Sequence, residues 1–148
     1  MFFNRGFFII LKEKMSTRDL YITENRGEAL GIVSEQSSVE ERFQNSTMRP
    51  ILKLQNDLFI EVFKNYISKH KNDFYSYSTE KKLQFIENSI QKDIKFRNSL
   101  KGIVIGLFTI DEYLEYIQNS SNLNKRMMNM LIDRLKNQVL LFEKIESN

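Results

Sequence analysis

The sequence predicts an all-α protein, a small bundle of three long helices and one or two short ones that follows a flexible N-terminal arm. Apolar residues recur at the helical period over three long stretches. Ser or Thr stands where several of these stretches begin, as is typical of helix caps. The 148 residues fit one domain, which we place at residues 47–148, with the arm at residues 1–46.

The first 14 residues, MFFNRGFFIILKEK, are predicted to be an over-annotated start, with Met15 as the true first residue. A short membrane-adhering arm is the alternative. The apolar run at residues 7–11 is shorter than the roughly 7–15 residues of a signal-peptide core, and no cleavage-site pattern follows it. No stretch approaches the roughly 20 apolar residues of a membrane span, so we expect none.

The rest of the arm, residues 15–37, lacks helical periodicity. Residues 20–23 and 29–33 flank the turn-like sequence ENRG and are compatible with a short hairpin. A flexible arm is the alternative. Ser38 and Glu41 have the spacing of a capping box, so a short helix is predicted to begin there.

The first long helix is predicted over about residues 48–70. Thr47 has the chemistry of an N-cap, and Pro50 falls in the first turn, where its missing N–H has no intrahelical partner. Gln55 interrupts the apolar face of this helix, and His70 ends it. That face consists of Ile51, Leu52, Leu58, Phe59, Val62, Phe63, Tyr66 and Ile67.

A loop at residues 71–77 leads to the second long helix, which begins at Ser78 or Thr79. The helix either runs to Gly106 or breaks near residues 98–99. Residues 102–108 are also compatible with a buried strand, but we predict helix because no partner strand is evident nearby. The apolar stripe of this helix consists of Leu83, Ile86, Ile90 and Ile94.

Two further helices complete the bundle. Thr109 and Glu112 have capping-box spacing and open a short helix to about Gln118. A turn at residues 119–122 then caps the last long helix, which runs to about Ile145. The apolar face of the last helix consists of Leu123, Met127, Met130, Leu131, Leu135, Phe142 and Ile145.

The composition excludes several kinds of chemistry. The absence of Cys excludes disulfides, iron–sulfur clusters and cysteine nucleophiles. A single His argues against a Ser–His–Asp triad and against a multi-His metal site. Asp111, Glu112 and Glu115 lie opposite the apolar face of their helix and are expected in solvent. We therefore expect no metal and no cofactor.

Charged residues interrupt the apolar stripes of two helices. Arg97 and Lys101 continue the stripe of the second helix, and Asp93 lies on its flank. Arg134 lies among the apolar residues of the last helix. Three bases and one acid in one core would leave unpaired buried charge, which costs several kcal/mol. Either the side chains reach the rim, or the helix breaks, or an anion, a ligand or a partner carboxylate neutralises them.

The N-terminus of the last helix is a second candidate site. Its free backbone N–H groups, with Lys125 and Arg126 close by, are suited to holding a phosphate. An ordinary capped helix with solvated bases is the alternative.

Three segments carry a family resemblance. The sequences IQKDIKFRNSLKG at residues 90–102, FTIDEY at 108–113 and NSSNLNKRM at 119–127 resemble a small uncharacterised bacterial family of Bacteroidetes type. That family is helical and sometimes carries a glyoxalase label. Such an activity would imply a βαβββ fold and a metal held by several His and Glu side chains. With one His and a helical pattern, this chain has no ligands onto which those roles transfer.

These observations lead to three functional hypotheses. The first is a cytoplasmic, non-catalytic module that binds a protein partner or itself, because catalytic groups are lacking and residues 127–130 hold three Met. The second is a small-anion or nucleic-acid binder that uses Arg97, Lys101, Lys125, Arg126 and Arg134. The third is an enzyme of unspecified reaction near Asp93, Arg97 and either Tyr113 or Tyr116, although we lean towards no enzyme.

Overall fold

A computed structural model gives the fold and describes residues 15–31 and 33–143. This part of the chain is helical and contains no β-strand, so the predicted all-α class is confirmed. No helix within it is long and apolar enough to cross a membrane. The α-helices are α1 (Thr17–Asn25), α2 (Val39–Phe43), α3 (Arg49–Leu54), α4 (Asn56–Lys69), α5 (Thr79–Lys92), α6 (Ile94–Ile105), α7 (Ile110–Ile117) and α8 (Ser120–Asn137).

The segment predicted as a hairpin or a flexible arm contains helix α1 instead. Ser16 caps this helix by accepting a hydrogen bond from the Asp19 amide at 3.1 Å. Ile22 is its one buried hydrophobic residue, which explains why the sequence shows no apolar period there. Polar contacts hold α1 in place: the Asp19 carboxylate accepts from the Ile110 amide at 3.2 Å, across the boundary predicted at residue 46.

A half-buried ion pair joins α1 to α7. The Arg26 guanidinium donates to both carboxylate oxygens of Glu112 at 2.5 and 2.6 Å, and the Thr47 hydroxyl donates to the same carboxylate at 2.6 Å. The expectation that Glu112 is solvated was wrong, because only 18% of its side chain is exposed. Glu112 also accepts from the Thr109 amide at 2.8 Å, which confirms the predicted capping box. One carboxylate thus fixes three parts of the chain.

The first long helix is bent rather than continuous. A π-helical turn over Gln44–Met48 precedes α3, so Thr47 is not an N-cap. Gln55 separates α3 from α4, yet the Phe59 amide still donates to the Gln55 carbonyl at 2.9 Å. At this bend the Asn56 and Gln138 side-chain amides exchange two hydrogen bonds of 2.8 Å each, which tie α4 to the end of α8.

The second long helix breaks at Asp93, earlier than either predicted end. Ser78, one of the two predicted starts, caps α5. Asp93 ends α5 and caps α6 by accepting from the Phe96 amide at 3.1 Å. The helical phase restarts after the break. Ile94, predicted in the core stripe, is consequently 62% exposed, and the buried residues of α6 are Phe96, Leu100 and Val104.

The last long helix is shorter than predicted. It spans Ser120–Asn137 and is followed by a 3-10 turn at Val139–Leu141, after which Phe142 is buried. Asn119 stands at the N-cap position but makes no side-chain capping bond there. The predicted endpoint Ile145 lies outside the described residues.

Phe63 of α4 lies at the centre of an aromatic core. Its ring centroid lies 5.0 Å from that of Phe142 and 6.1 Å from that of Phe74, which a 3-10 turn places inside the predicted loop. Helices α5, α6 and α8 pack against one another around this cluster. Other rings beside Phe63 are Tyr66, Phe85 and Phe96.

Truncating the central ring should strongly destabilise the fold. Phe63→Ala removes a fully buried side chain and leaves a cavity among rigid neighbours, so we expect a loss of about 3–5 kcal/mol in the free energy of unfolding. Urea denaturation of the parent and of Phe63→Ala measures this difference in the free energy of unfolding. Leu140→Ala is the matched control, because Leu140 is 76% exposed and its truncation should change stability by no more than about 0.5 kcal/mol.

The Glu112 ion pair should make stability depend on pH. Burial favours the neutral acid, but the hydrogen bonds from Arg26, Thr47 and the Thr109 amide outweigh it and lower the pKa of Glu112. An acid whose pKa is lower in the folded state than in the unfolded state stabilises the fold at pH values above its unfolded-state pKa, which is about 4.3 for Glu. This stabilisation is lost as the pH falls through the folded-state pKa.

We therefore expect Glu112→Gln to be about 3 kcal/mol less stable than the parent near neutral pH, because Arg26 loses its buried counter-charge. The variant should also lose less stability than the parent on acidification below about pH 4.3. Urea unfolding across this pH range measures both effects. Glu115→Gln, on the exposed side of α7, should keep the parent's pH dependence. Equal pH profiles for Glu112→Gln and the parent would contradict the assignment.

Candidate functional site

A cleft of about 470 Å³ lies between α8 and the junction of α5 with α6. It brings together three of the six predicted site residues, Arg97, Lys101 and Lys125. Buried Met128 and Ile132 give it an apolar wall. The remaining lining residues are polar and uncharged: Gln91, Ser121, Asn124 and Asn129.

The break at Asp93 positions the two cations of α6. Arg97 and Lys101 are four residues apart, so they share one face of α6, and both are half-buried. The Arg97 guanidinium donates to the Gln91 carbonyl at 3.1 Å. This carbonyl belongs to the last turn of α5, where carbonyls lack intrahelical partners. Arg97 therefore closes the end of α5 with one of its five N–H donors.

Helix α8 supplies the opposite side of the cleft. Ser121, Asn124, Lys125 and Met128 follow the spacing that places residues on one helix face. The Tyr116 hydroxyl donates to the Asn124 side-chain oxygen. Because this oxygen is already used as an acceptor, the amide N–H groups are the donors that Asn124 retains for a ligand. The sequence analysis missed Asn124, although its spacing of three residues from Ser121 and four from Met128 was a usable signal.

The described residues that line the cleft carry a net positive charge. Three of them are cations, and none is an aspartate or a glutamate. Within residues 15–31 and 33–143, no salt bridge joins Arg97, Lys101 or Lys125 to an acid. Several positive charges in one concavity raise the local concentration of anions. The arrangement is therefore suited to an anionic group.

Arg134 does not join the other cations. It lines a second cleft of about 370 Å³ together with Arg49 and Asp133. Its guanidinium donates weakly to the Asn56 side-chain oxygen at 3.4 Å. Burial, and then the positive charge of Arg49, lower the pKa of Arg134.

Asp93 makes contacts that hold the break between α5 and α6 together. Besides capping α6, it accepts from the Tyr66 hydroxyl at 3.0 Å, and the His70 ring nitrogen lies 3.8 Å away. Hydrogen bonds from the Phe96 amide and Tyr66 lower the pKa of Asp93. Burial and the bond to Asp93 raise the pKa of Tyr66, whose ring is stacked between His70 and Phe96. These contacts assign Asp93 to the helix break rather than to the cleft.

Arg126 lies on another face of α8 from its neighbour Lys125. Its guanidinium donates to the Gln44 side chain at 2.9 Å. The carboxylate of Glu40, which accepts from Asn119 at 2.9 Å, also attracts Arg126 and has a lowered pKa, chiefly from its own backbone amide. The structure therefore does not bring Lys125 and Arg126 together: Lys125 lines the cleft and Arg126 does not.

No set of three or more His, Asp or Glu side chains in the described part of the chain could hold a metal ion. The lack of β-strands there also differs from the βαβββ fold that a glyoxalase label implies. Comparisons with protein-family models, curated proteins and solved structures find no match.

Proposed function

We propose that the chain is a binding module whose cleft between α6 and α8 takes the anionic group of a small organic ligand. The observation that carries this proposal is the convergence of Arg97, Lys101 and Lys125 on a cleft that no acid of the described chain lines. Each of these cations can donate charge-assisted hydrogen bonds to a carboxylate or a phosphate, and such bonds are stronger than hydrogen bonds between neutral groups.

The size and lining of the cleft suggest what the rest of the ligand is like. A volume of about 470 Å³ lies within the roughly 300–1,000 Å³ of small-molecule sites. The apolar wall of Met128 and Ile132 suits a hydrocarbon or ring portion, while the amides of Asn124 and Asn129 suit polar substituents. A phosphorylated or carboxylated small molecule fits this combination.

Binding rather than catalysis is proposed because none of the described residues that line the cleft is a histidine, an aspartate or a glutamate. The one hydroxyl among them, Ser121, therefore has no imidazole or carboxylate base beside it there. A nucleic-acid partner is less well supported, because Arg126 and Arg134 lie away from the cleft and do not extend it.

The sequence analysis placed a protein partner or self-association first and an anion second. At the cleft we reverse that order, because its lining is mostly polar and charged. The apolar surface that favours a macromolecular contact lies on α7, where Ile110, Leu114 and Ile117 are exposed.

Calorimetric titration with pyrophosphate tests the proposed site. We expect saturable binding that weakens as NaCl is raised. Arg97→Gln and Lys101→Gln should each weaken it at least about tenfold, since a hydrogen bond to a charged group contributes roughly 1.5–3 kcal/mol. Arg134→Gln is the matched control, because it removes a half-buried Arg from the other cleft and should leave the affinity unchanged.

Two results would contradict the proposal. One is equal pyrophosphate affinity for the parent and Arg97→Gln, with both shown to be folded by circular dichroism. The other is preference for a single-stranded oligonucleotide that is weakened as much by Arg134→Gln as by Arg97→Gln, because this would indicate a phosphate track over several faces.

A further inference from the structure

The second cleft, of about 370 Å³, lies between α3 and the C-terminal half of α8, and we call it the α3–α8 cleft. It differs from the anion cleft between α6 and α8 because its lining carries charges of both signs. Arg49 and Arg134 supply two cations, and Asp133 supplies one acid. The remaining lining residues are Leu52, Met130, Asn137 and Gln138.

The helical period of α8 brings most of these groups to one wall. Met130, Asp133, Arg134 and Asn137 are separated by three or four residues, so they share one face of the helix. Helix α3 supplies the opposite wall. The acid and the cations of the α3–α8 cleft therefore face a common space.

Each guanidinium of the α3–α8 cleft is held by a neutral amide oxygen. The Arg49 Nε donates to the Asn45 side-chain oxygen at 2.7 Å, and Arg134 donates weakly to the Asn56 side-chain oxygen at 3.4 Å. Within residues 15–31 and 33–143, no salt bridge joins either arginine to Asp133 or to another acid. Because a guanidinium has five N–H donors, both arginines retain donors for a ligand.

The two arginines lie close enough to repel each other. Arg134 is half-buried, and its pKa is lowered first by burial and then by the positive charge of Arg49. An anion bound between two such cations relieves this repulsion. The planar guanidinium matches a carboxylate in two parallel hydrogen bonds, so the arginine pair is suited to a carboxylate.

Asp133 limits which carboxylate can bind. Its side chain is exposed and, in the part of the chain that the structure describes, forms no salt bridge. A fixed carboxylate in the lining repels a polyanion such as pyrophosphate, but it attracts an ammonium group. A ligand that carries both a carboxylate and an ammonium satisfies all three charged residues.

We propose that the α3–α8 cleft binds the zwitterionic head group of an α-amino acid. The ligand carboxylate lies between Arg49 and Arg134, and the ligand ammonium pairs with Asp133. This site is independent of the anion cleft, since the two share no lining residue.

The apolar part of the lining indicates which side chain the amino acid carries. Leu52 is only 2% exposed, and Met130 is half-buried, so together they form a wall suited to an aliphatic side chain. The volume of about 370 Å³ is near the lower end of the roughly 300–1,000 Å³ of small-molecule sites. A single aliphatic amino acid such as L-leucine fits this size and lining.

Calorimetric titration of the full chain with L-leucine tests the α3–α8 cleft, in slightly acidic buffer that keeps free amines charged. We expect saturable binding of L-leucine. N-acetyl-L-leucine, which lacks the ammonium, and L-leucinamide, which lacks the carboxylate, should each bind at least about tenfold more weakly, because each loses a hydrogen bond between charged groups.

Substitutions should separate the two charges of the ligand. Asp133→Asn should weaken L-leucine at least about tenfold and should not weaken N-acetyl-L-leucine, because that ligand has no ammonium. Arg49→Gln should weaken both ligands, because both keep the carboxylate. Arg97→Gln, in the anion cleft, is the matched control and should leave the affinity for L-leucine unchanged.

Three results would overturn the proposal. One is the absence of saturable L-leucine binding, and another is equal affinity for L-leucine and N-acetyl-L-leucine, because the ammonium would then play no part. The third is a loss of L-leucine affinity that is as large in Arg97→Gln as in Arg49→Gln. Arg49 and Asp133 are exposed, so their variants should keep the helical fold, which far-UV circular dichroism checks.

Discussion

The helix break at Asp93 determines where Arg97 and Lys101 lie. In an unbroken helix, Arg97 and Lys101 would continue the line of Ile86 and Ile90 into the core, where unpaired charge costs several kcal/mol. The Asp93 carboxylate caps a new helix instead, and the phase restarts. Phe96, Leu100 and Val104 then enter the core, while the two cations move to its edge and meet α8 across the cleft.

The break is itself tied to the aromatic core. Tyr66 donates to Asp93 and stacks on Phe96 with ring centroids 4.0 Å apart, while Phe96 lies 6.1 Å from Phe63. The same few residues thus satisfy the carboxylate, fill the core and set the direction of α6. The cleft therefore depends on aromatic packing in α4, although no residue of α4 lines it.

Local signals in the sequence predicted most of the helices, and long-range polar contacts account for most of the errors. Ser38, Ser78 and Thr109 were identified as helix starts because capping is a contact over three residues. Helix α1 was missed since it is held by partners more than 80 residues away, and the burial of Glu112 depends on Arg26 in the same way. The helical period identified Arg97, Lys101 and Arg134 as charged residues on apolar helix faces. It does not specify which residues of other helices each of them contacts.

Helix α7 contributes no residue to the lining of the anion cleft, but one hydrogen bond connects it to that lining. Tyr116 of α7 bonds Asn124 of the cleft, so a moving α7 would alter the cleft. Movement, however, requires breaking the Arg26–Glu112 pair, in which only 11% and 18% of the two side chains are exposed. If that step costs about 3 kcal/mol, the displaced state is populated at less than about one part in a hundred. The exposed side chains of α7, such as Tyr113 and Leu114, can therefore be substituted without altering the geometry of the cleft.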